Sequence, residues 1–541
     1  MFFAPVSIPS REEVKPMDSS QNNLLVQEIS NKLNIYGSSR SALPFILPIL
    51  QNAESQDLKT GILFIAEKLD IPPVEVFSLL SFYQNSNKHR GKQVDIRLCK
   101  SVLFGKEKVK ELAQALQSKF QIDFGQTSED GSTSLNWSAC AGYPNQAPVL
   151  LVNDEIYTRV KPEDLDEIVA SFGNQIYSAN YALPYTWIEP LIFSGIKQGK
   201  AINALSKNNP HPNQPGAYQT LVCNVDEGEP LTFKSRALLT EYFELTLEGM
   251  LIVAYTNGIN HGLIYLPKRY SYMKSLLEQR LSQFRSRKAL GENIPGLNGF
   301  NFDVELLVGL GDYVGHEESA LAAMLNGFRP EFNPSDERGT APFLIRPVDF
   351  FLKAAYVASK SSEPMDDLED QITQMPLIAS VSGDCTQSGV YEIQPGTSIK
   401  NFLKRVGGSD AYAVQIGGLS SEWILAEDFE HPLDKEMLNK TASIIVYGPQ
   451  INLLEAAKDI LAYFHDASCG QCTPCRNGIP VLIKSLQPAV KNSKKKKSIS
   501  EMRSLAETIQ LTSKCSLGQC APNAYLSILN IVEQNQRINR A

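Results

Sequence analysis

The sequence predicts a multidomain α/β protein with helical segments at both ends of the chain. Its 541 residues exceed what one hydrophobic core usually organises, so we expect roughly three to four domains. Two runs, at 218–230 and 303–325, each indicate a strand that leaves through a polar turn into a helix, the place where open α/β sheets bind ligands. Five of the nine cysteines lie at or beyond Cys469, and in a cytosolic chain such clustering favours a metal centre over disulfides.

The first part of the chain is predicted to be helical. Residues 1–20 show no periodicity and are interpreted as a tail, whereas the apolar spacing from 22 to about 90 is helical. Pro72 and Pro73 stand before VEVFSLL, and proline is favoured in the first turn of a helix. Strand-like and helix-like segments then alternate to about residue 170, which predicts a small α/β domain.

The rest of the chain divides into three parts. A larger α/β domain contains the two strand–turn–helix runs. Residues 376–445 alternate apolar and polar positions with frequent glycine, which is typical of a compact β-rich domain, and helical periodicity returns from 450. We therefore expect a tail (1–20), a helical and α/β part (21–172), a second α/β domain (180–372), a β-rich domain (373–447) and a helical domain (448–541).

Composition and charge exclude several classes of function. The net charge of −8 gives no reason to expect nucleic-acid binding, and we interpret the basic run at 494–497 as a solvated loop. No apolar stretch approaches the ~20 residues needed to cross a bilayer, so we expect no direct membrane insertion. The N-terminus makes a poor signal peptide, and a cytoplasmic location is expected. The sequence has no nucleophile elbow, HExxH helix or Walker loop, which leaves a hydrolase without support.

The C-terminal cysteines have the spacing of an iron–sulfur site. The segment SCGQCTPCRNG holds Cys469, Cys472 and Cys475, and Cys515 follows 40 positions after Cys475. Short loops let three thiolates converge on one centre, and the glycines leave backbone N–H groups near the sulfurs. The spacing therefore predicts one four-iron, four-sulfur cluster on these four cysteines.

Two alternatives stay open from the residues alone. Zinc bound by four cysteines is the main competitor, although zinc usually draws on two separated pairs of ligands. Cys520 lies five residues beyond Cys515 in CSLGQC and is the alternative fourth ligand. We favour the iron–sulfur cluster and Cys515.

The motif SCGxCxPCRxG with a remote cysteine in CxLG resembles the cluster motif of the NADH-binding flavoprotein (51 kDa-type) subunit of respiratory complex I. The ending CSLGQCAPN is more similar still to the beta subunits of NAD-dependent formate dehydrogenases and the diaphorase subunits of NAD-linked hydrogenases. The resemblance covers nearly the whole chain. It implies an α/β flavin and NADH domain, then a β-grasp (SLBB-like) domain, then a C-terminal helical bundle that carries the cluster.

The N-terminal part resembles the small thioredoxin-like subunit of complex I, which formate dehydrogenase beta subunits carry fused in front. The segments RSALPFILPILQ, LDIPPVEVFSLLSFY and APVLLVNDEIY are similar to its helices and final strand. That subunit binds a two-iron cluster with two pairs of cysteines. Cys99 and Cys140 match the first member of each pair, but Phe104 and Pro144 stand where the partners belong. We expect no two-iron cluster here and interpret Cys99 and Cys140 as small buried thiols.

Two strings carry the resemblance in the flavin and NADH domain. CNVDEGEP, followed by TFKSR, matches the family's flavin and nucleotide loop, and GDYVGHEESAL matches a second loop that contacts the nucleotide. Carboxylates beside such a cofactor accept hydrogen bonds from ribose hydroxyls and the nicotinamide amide. The cofactor-binding residues that the resemblance implies are Asn224, Asp226, Glu227, Glu229, Gly315, Glu317 and Glu318, with Lys234 and Arg236 following the first loop.

The glycine-rich phosphate loop departs from the family pattern. The family's GRGGAGFPTGxK stands here as SGIKQGKAINALSK, in which Gly195 and Gly199 are the glycines that remain. The replacing side chains add Cβ atoms where the backbone approaches phosphate and flavin. The string NNVET, which serves the flavin phosphate end, is also absent near 345–355. Three lysines are candidates to substitute as point charges: Lys197, Lys200 and Lys207.

Two main hypotheses follow. In the first, the chain is an enzyme subunit in which NADH or NADPH delivers hydride to FMN and electrons leave singly through the cluster. In the second, favoured by the degenerate glycine loop, it is a flavin-free relay or scaffold subunit that has lost NADH oxidation. Both imply redox partners, namely a thioredoxin-like small subunit and a larger iron–sulfur subunit linked to formate dehydrogenase or hydrogenase. A zinc-stabilised interaction protein is a third, weaker hypothesis.

Overall fold

A computed structural model of the chain describes most of its residues. The described ranges are 24–50, 55–83, 94–153, 155–172, 183–197, 199–202, 218–309, 313–332, 342–360, 368–394, 396–433, 435–438, 441–486 and 499–538. The predicted tail, the basic run at 494–497 and Lys207 lie outside these ranges.

Four helices open the described chain and pack on the central sheet of the molecule. They are α1 (Leu24–Tyr36), α2 (Leu43–Leu50), α3 (Ser55–Leu69) and α4 (Pro73–Tyr83). Pro73 is the first residue of α4, as predicted, because the N–H that proline lacks has no intrahelical acceptor there. Ile29 and Leu80 share one hydrophobic core with Val222 and Ile345 of the central sheet. The four helices therefore cover one face of that sheet.

A five-stranded sheet follows the helices. Its elements are β1 (Val94–Cys99), β2 (Gln126–Thr127), β3 (Thr133–Ser138), β4 (Val149–Val152) and β5 (Glu155–Thr158), with helices α5 (Lys106–Phe120) and α6 (Leu165–Phe172). The spatial order is β2-β3-β1-β4-β5, in which β1 and β3 are parallel and the other neighbours antiparallel. Leu112 and Leu116 of α5 pack against Ile96 and Leu98 of β1, which confirms the predicted small α/β domain.

The central sheet has four parallel strands. They are β6 (Thr220–Asn224), β7 (His261–Pro267), β8 (Asp303–Gly309) and β9 (Phe343–Pro347), in the order β8-β7-β6-β9. The helices of this domain are α7 (Lys234–Glu241), α8 (Phe243–Asn257), α9 (Lys274–Ser286), α10 (Glu318–Leu325), α11 (Val348–Lys360) and α12 (Leu368–Thr373).

Both faces of the central sheet are covered. Successive strand residues point to opposite faces, so Val222 packs on the N-terminal helices while Leu221 and Cys223 pack in the core with α8 and α11. Because β7 and β9 lie on opposite sides of β6, the carboxyl ends of β6 and β9 border a topological switch point, where sheets of this kind bind ligands.

A third, mixed sheet corresponds to the predicted β-rich segment. Its elements are β10 (Leu377–Gly383), β11 (Gly389–Ile393), β12 (Ala413–Ile416), β13 (Trp423–Leu425) and β14 (Ser443–Tyr447), with α13 (Ile399–Arg405) and α14 (Lys435–Leu438). The order is β11-β10-β14-β12-β13, with β10 and β14 parallel. Ile444 and Val446 pack on α13, whereas Ile445 and Tyr447 face the C-terminal helices.

The chain continues into a helical domain. Its helices are α15 (Leu453–Asp466), α16 (Ile479–Ser485), α17 (Ile499–Thr512), α18 (Ser516–Cys520) and α19 (Asn523–Ile538), with a π-helical turn at Pro474–Gly478. Ile460, Ile479, Ile509 and Tyr525 form its core. Among the described residues, none of the helices combines the length and apolarity needed to span a membrane.

Candidate iron–sulfur centre and nucleotide site

The four cysteines predicted to bind the cluster lie on two segments of the helical domain. Cys469, Cys472 and Cys475 lie between α15 and α16, and Cys515 directly precedes α18. The segments touch, because a Cβ added to Gly518 would lie 3.2 Å from the Cβ of Cys475. Glycine at this position permits the approach of the two segments.

The charges of the four thiols act on one another. Burial, together with the charges of the other three cysteines, raises the pKa of Cys475 to about 11, against the opposing effect of the Ser468 hydroxyl. Burial also raises the pKa of Cys515 to about 11, against the opposing effect of the Gly518 and Leu517 N–H groups. Bringing four thiolates together is unfavourable unless bound cations neutralise them, and an all-sulfur donor set suits an iron–sulfur cluster as well as zinc.

Hydrogen bonds fix the cysteine loop. The Oγ of Ser468 lies 3.2 Å from the Sγ of Cys475, and the Nη1 of Arg476 donates to the carbonyl oxygen of Gly470 at 2.6 Å. Together with the N–H groups that face Cys515, these bonds orient the sulfur ligands before any metal binds. The residues present therefore fit a four-iron cluster.

A single metal ion fits the ligand pattern less well, because zinc usually draws on two separated pairs of cysteines whereas three of these four lie in one short segment. One zinc ion needs every thiolate about 2.3 Å from a single point, whereas each cysteine of a cluster binds a different iron. Cys520 lies at the far end of α18. Cys515, and not Cys520, is among the charges that raise the pKa of Cys475, which favours Cys515 as the fourth ligand.

The acidic residues of the first nucleotide loop lie at the carboxyl end of β6 and are largely engaged inside the protein. Asp226 Oδ1 accepts hydrogen bonds from Arg269 Nη2 at 2.6 Å and from the Gly228 N–H at 3.0 Å. Asn224 Oδ1 accepts from the Asp226 N–H at 2.9 Å. Glu229 is 2% exposed, and its Oε2 accepts from the Ser420 N–H at 3.3 Å. These side chains hold the loop in place.

Glu227 is the most accessible carboxylate of this loop, although it too has internal partners. It accepts hydrogen bonds from the Ser235 N–H at 2.7 Å and from the Tyr270 hydroxyl at 3.1 Å. Burial raises the pKa of Glu227, and the Ser235 N–H, Arg269 and Lys234 oppose that shift.

The second loop joins the nucleotide site to the cluster segment. Gly315 is buried in the turn Tyr313–His316. Glu317 Oε1 accepts hydrogen bonds from the Ser516 N–H at 3.3 Å and from the Ser516 hydroxyl, and Ser516 is the neighbour of Cys515. Glu318 is exposed and lies 4.0 Å from Arg346. Of the predicted acidic residues, Glu318 has the side chain most open to a ligand.

The two nucleotide loops also contact each other and α15. The Nδ2 of Asn224 donates to the carbonyl oxygen of His316 at 3.4 Å, and the Tyr463 hydroxyl of α15 donates to the carbonyl oxygen of Gly228 at 2.7 Å. A Cβ at Gly228 would collide with the ring of His316, so this contact requires glycine, whose φ is +70°. Both loops and the helix that leads to the cluster thus form one connected unit.

Sequence reasoning missed several residues that complete this site. Arg269 and Tyr270 follow β7 and bind Asp226 and Glu227, as described above. The string KRY directly after a buried strand was an available signal, because carboxyl ends of parallel strands lie at one edge of the sheet. A second missed pair is Asp349 and Lys353 of α11, which lie in one buried cluster with the predicted Lys234 of α7. The predicted Arg236 is buried, with its guanidinium 4.0 Å from the ring centroid of Tyr143.

The degenerate glycine loop is described in part. The N–H of Gly199 donates to Glu248 Oε1 of α8 at 2.5 Å. Burial raises the pKa of Glu248 to about 6, and the N–H groups of Gly199 and Ala201 oppose the shift. Lys197 and Lys200, two of the three candidate point charges, are exposed.

The thioredoxin-like domain keeps two cysteines near each other without their former partners. Cys99 pairs in parallel register with Ser138, and the N–H of Ala141, next to Cys140, donates to the Cys99 sulfur. The two positions at which the resemblance places the partner cysteines hold residues that serve packing and local structure. The ring of Phe104 lies 5.8 Å from that of Tyr447, and Pro144 begins a short 3-10 helix.

Three family models match consecutive parts of the chain. Residues 26–173 match the thioredoxin-like 2Fe-2S ferredoxin, 197–340 the Nuo51 FMN-binding domain, and 455–536 the NADH-ubiquinone oxidoreductase-F iron–sulfur binding region. The resemblance to the complex I NADH-binding flavoprotein subunits is thereby confirmed. A thioredoxin-like domain precedes the FMN-binding match, as the resemblance implied.

Members of this family with similar sequences come from hydrogenases and from complex I. The chain is 27% identical over 560 residues to the NAD-reducing hydrogenase HoxS subunit alpha of Cupriavidus necator, which covers 93% of this chain and 92% of that relative. It is 30% identical over 327 residues to the NADP-reducing hydrogenase subunit HndC of Solidesulfovibrio fructosivorans, covering 57% of this chain and 66% of that relative.

A solved structure has the same fold as this chain. A chain of an NAD+-reducing NiFe-hydrogenase in the H2-reduced state superimposes with a TM-score of 0.75 at 23% identity, covering 90% of this chain and 92% of that chain. The mixed α/β multidomain architecture predicted from the sequence is therefore confirmed.

Proposed function

We propose that the chain is the flavin-bearing iron–sulfur subunit of a multisubunit NAD(P)H-linked oxidoreductase. Electrons pass in it between a nicotinamide nucleotide and partner iron–sulfur subunits by way of FMN and one four-iron cluster. The matches to an FMN-binding domain and to an iron–sulfur binding region support this function. So do relatives that are subunits of NAD-reducing hydrogenase, NADP-reducing hydrogenase and NADH-quinone oxidoreductase.

The observation that carries the proposal is the direct connection between the nucleotide loops and the cluster segment. Ser516, the neighbour of Cys515, donates to Glu317, and Tyr463 donates to Gly228. A redox site works when its groups are held at fixed distances by surrounding residues, and these bonds provide that support.

The residues of the site have distinct proposed roles. Cys469, Cys472, Cys475 and Cys515 hold the cluster. The side chains that position the two loops are those of Asn224, Asp226, Glu227, Glu229 and Glu317. Glu318 is placed to accept a hydrogen bond from a hydroxyl of the nucleotide. A bound flavin would supply the conversion of a hydride into single electrons.

The flavin-free relay is the less favoured alternative. The family match over 197–340 is to an FMN-binding domain, which supports flavin binding despite the degenerate glycine loop. The substituted loop means that the phosphate end of the flavin needs contacts particular to this chain.

Partners and domain roles belong to the same proposal. We expect a larger iron–sulfur subunit of hydrogenase or formate dehydrogenase type and a thioredoxin-like small subunit as partners in a cytoplasmic complex. The segment Leu377–Tyr447 lies within the β-grasp (SLBB-like) domain that we propose for residues 373–447. The other domain boundaries are proposed as predicted from the sequence. The proposed role of the helical domain is to carry the cluster next to the flavin.

The decisive experiment measures iron, acid-labile sulfide and released flavin on the same anaerobically purified protein. We expect about four irons, four sulfides and one FMN per chain, and bleaching of the flavin spectrum on addition of NADH or NADPH. Four irons without flavin, even after FMN is added, would instead establish the relay. Zinc without sulfide would exclude both.

A further inference from the structure

Two thiols of the thioredoxin-like domain lie close together where β1 and β3 end. Cys99 is the last residue of β1 and pairs in parallel register with Ser138, two residues before Cys140. The Lys100 N–H donates to the carbonyl oxygen of Ser138 at 2.8 Å, so the two segments stay together beyond the strands. The N–H of Ala141 donates to the Cys99 sulfur, and Cys140 is near enough for its charge to add to the effect of burial on the pKa of Cys99. The two cysteines are therefore close neighbours in space.

The two thiols differ in accessibility. Cys99 is 6% exposed, whereas Cys140 is partly exposed. A thiol that solvent reaches can attack the disulfide of a small molecule, and a second thiol beside it can then displace that molecule. The N–H of Ala141 stabilises the Cys99 thiolate, which is the form that carries out the second step. Disulfides of cytosolic proteins are usually transient and redox-sensing, which is the behaviour expected of such a pair.

The segment that carries Cys140 packs tightly on the central domain. The Tyr272 hydroxyl donates to the carbonyl oxygen of Ala141 at 2.9 Å. A Cβ added to Gly142 would lie 3.1 Å from the Tyr270 ring, and the φ of this glycine is +84°. Little free space therefore separates the cysteine segment from the two tyrosines.

Tyr270 connects this segment to the first nucleotide loop. Its hydroxyl donates to Glu227 at 3.1 Å. Burial, then Glu227 and Cys140, raise the pKa of Tyr270, so the cysteine and the carboxylate both act on the same side chain. A shift of Cys140 towards Cys99 would therefore change the support of Glu227.

We propose that Cys99 and Cys140 form a reversible disulfide, and that this disulfide weakens nucleotide binding at the first loop. The oxidant is a low-molecular-weight disulfide such as oxidised glutathione. The Cys140 thiolate attacks one of its sulfurs and releases one thiol, and the Cys99 thiolate then attacks the Cys140 sulfur of the mixed disulfide and releases the second. The protein loses two electrons and two protons, and the small disulfide becomes two thiols. The effect on the nucleotide rests on the proposed function, whereas the disulfide does not.

Peptide mass spectrometry tests the disulfide. The cluster-containing protein is kept anaerobic and equilibrated with glutathione buffers of increasing oxidised fraction. We expect a cross-link between the peptides of Cys99 and Cys140 that forms as oxidised glutathione rises and is lost again in reduced glutathione. A wild-type protein that stops at a glutathione adduct on Cys140, or that stays unmodified, would overturn the proposal.

Single-cysteine variants separate the two steps. Cys99→Ser should accumulate the glutathione adduct on Cys140, because the thiol that displaces glutathione is missing. Cys140→Ser should leave Cys99 unmodified, because Cys99 is buried. An adduct on Cys99 in that variant would overturn the order of attack. The matched control is Cys385→Ser, which removes a partly exposed thiol of the mixed sheet and should leave the cross-link unchanged.

Calorimetric titration with NAD+ and NADP+, which do not reduce flavin, tests the effect on the nucleotide loop. We expect oxidation to weaken binding by wild-type protein about fivefold and to leave binding by Cys140→Ser unchanged. A cross-link that forms without any change in affinity would overturn the connection to the loop. If the cross-link forms and neither redox form binds nucleotide, the proposed function fails while the disulfide stands. If nucleotide binds and no cross-link forms, the disulfide fails while the proposed function stands.

Discussion

The molecule contains two cysteine sites, one with four thiols and one with two. The site in the helical domain keeps all four thiols, and Gly518, Ser468 and Arg476 hold their loops together. The site in the thioredoxin-like domain keeps Cys99 and Cys140, while Phe104 packs against Tyr447 in the mixed sheet. The comparison shows that Phe104, at a position where the resemblance expects a cluster ligand, makes a contact between domains. We therefore expect this domain to differ from its two-iron relatives in packing as well as in chemistry.

The largest effect should come from removing a cysteine of the complete site. We expect Cys475→Ser to lose most of the iron and to destabilise the helical domain, because a cluster bound only to the folded state contributes its binding free energy to folding. Iron analysis and the visible spectrum of the purified variant measure this. Cys140→Ser is the control in the incomplete site, and equal iron loss in that variant would break the comparison.

Phe104→Ala should lower stability without changing the iron content. Half-burying a phenylalanine between two domains contributes an amount we put at about 2 kcal/mol, below the cost for a fully buried ring. Denaturant unfolding measures the loss. Phe124→Ala removes a phenylalanine of the same domain that stacks on Trp137, whose side chain is 40% exposed, and should cost less. A larger loss of stability for Phe124→Ala than for Phe104→Ala would contradict the proposed role of Phe104 in joining the two domains.

Glu317→Gln should raise the reduction potential of the cluster by a few tens of millivolts. Reduction adds negative charge, so removing a carboxylate that acts on Cys515 makes reduction easier. Redox titration followed by electron paramagnetic resonance gives the potential. Glu318→Gln removes the same charge from the next residue, which is exposed, and should shift the potential less.

The smallest effect concerns the reactivity of the two remaining front thiols. Burial, followed by the charge of Cys140, raises the pKa of Cys99 to about 12. Thiolates are the reactive form, so alkylation of Cys99 should be slow at neutral pH and rise about tenfold per pH unit below that pKa. Cys140, which is partly exposed, should be alkylated first in a mass-spectrometric time course. Faster labelling of Cys99 would show that its burial is only transient.

Elements that depend on nearby residues were predicted better than the contacts between elements. The start of α4 at Pro73 and the strand–turn–helix runs at β6 and β8 depend on nearby residues, and they were confirmed. The pattern of carboxylates in the nucleotide loops was visible, yet their partners were not. Arg269 and Ser516 come from distant parts of the chain, and without a fold no spacing rule pairs them with Asp226 or Glu317.

The lysines of this domain show the same dependence on the fold. The candidate lysines lie inside the degenerate loop because the family motif lies there, whereas Lys234 and Lys353 are brought to Asp349 by the parallel order of β6 and β9. That order is a property of the folded sheet, and the sequence contains no local signal for it. The N-terminal helices likewise pack on the central sheet through Val222 and Ile345, a contact that helical periodicity alone does not specify.

The hydrogen bonds from Tyr463 to Gly228 and from Ser516 to Glu317 join the nucleotide loops directly to the segments that flank the cluster cysteines. If occupancy of the loops changes the reduction potential of the cluster, reduction of the cluster must change the affinity of the loops by the corresponding factor. The affinity of the subunit for its nucleotide would then depend on whether the cluster is oxidised or reduced.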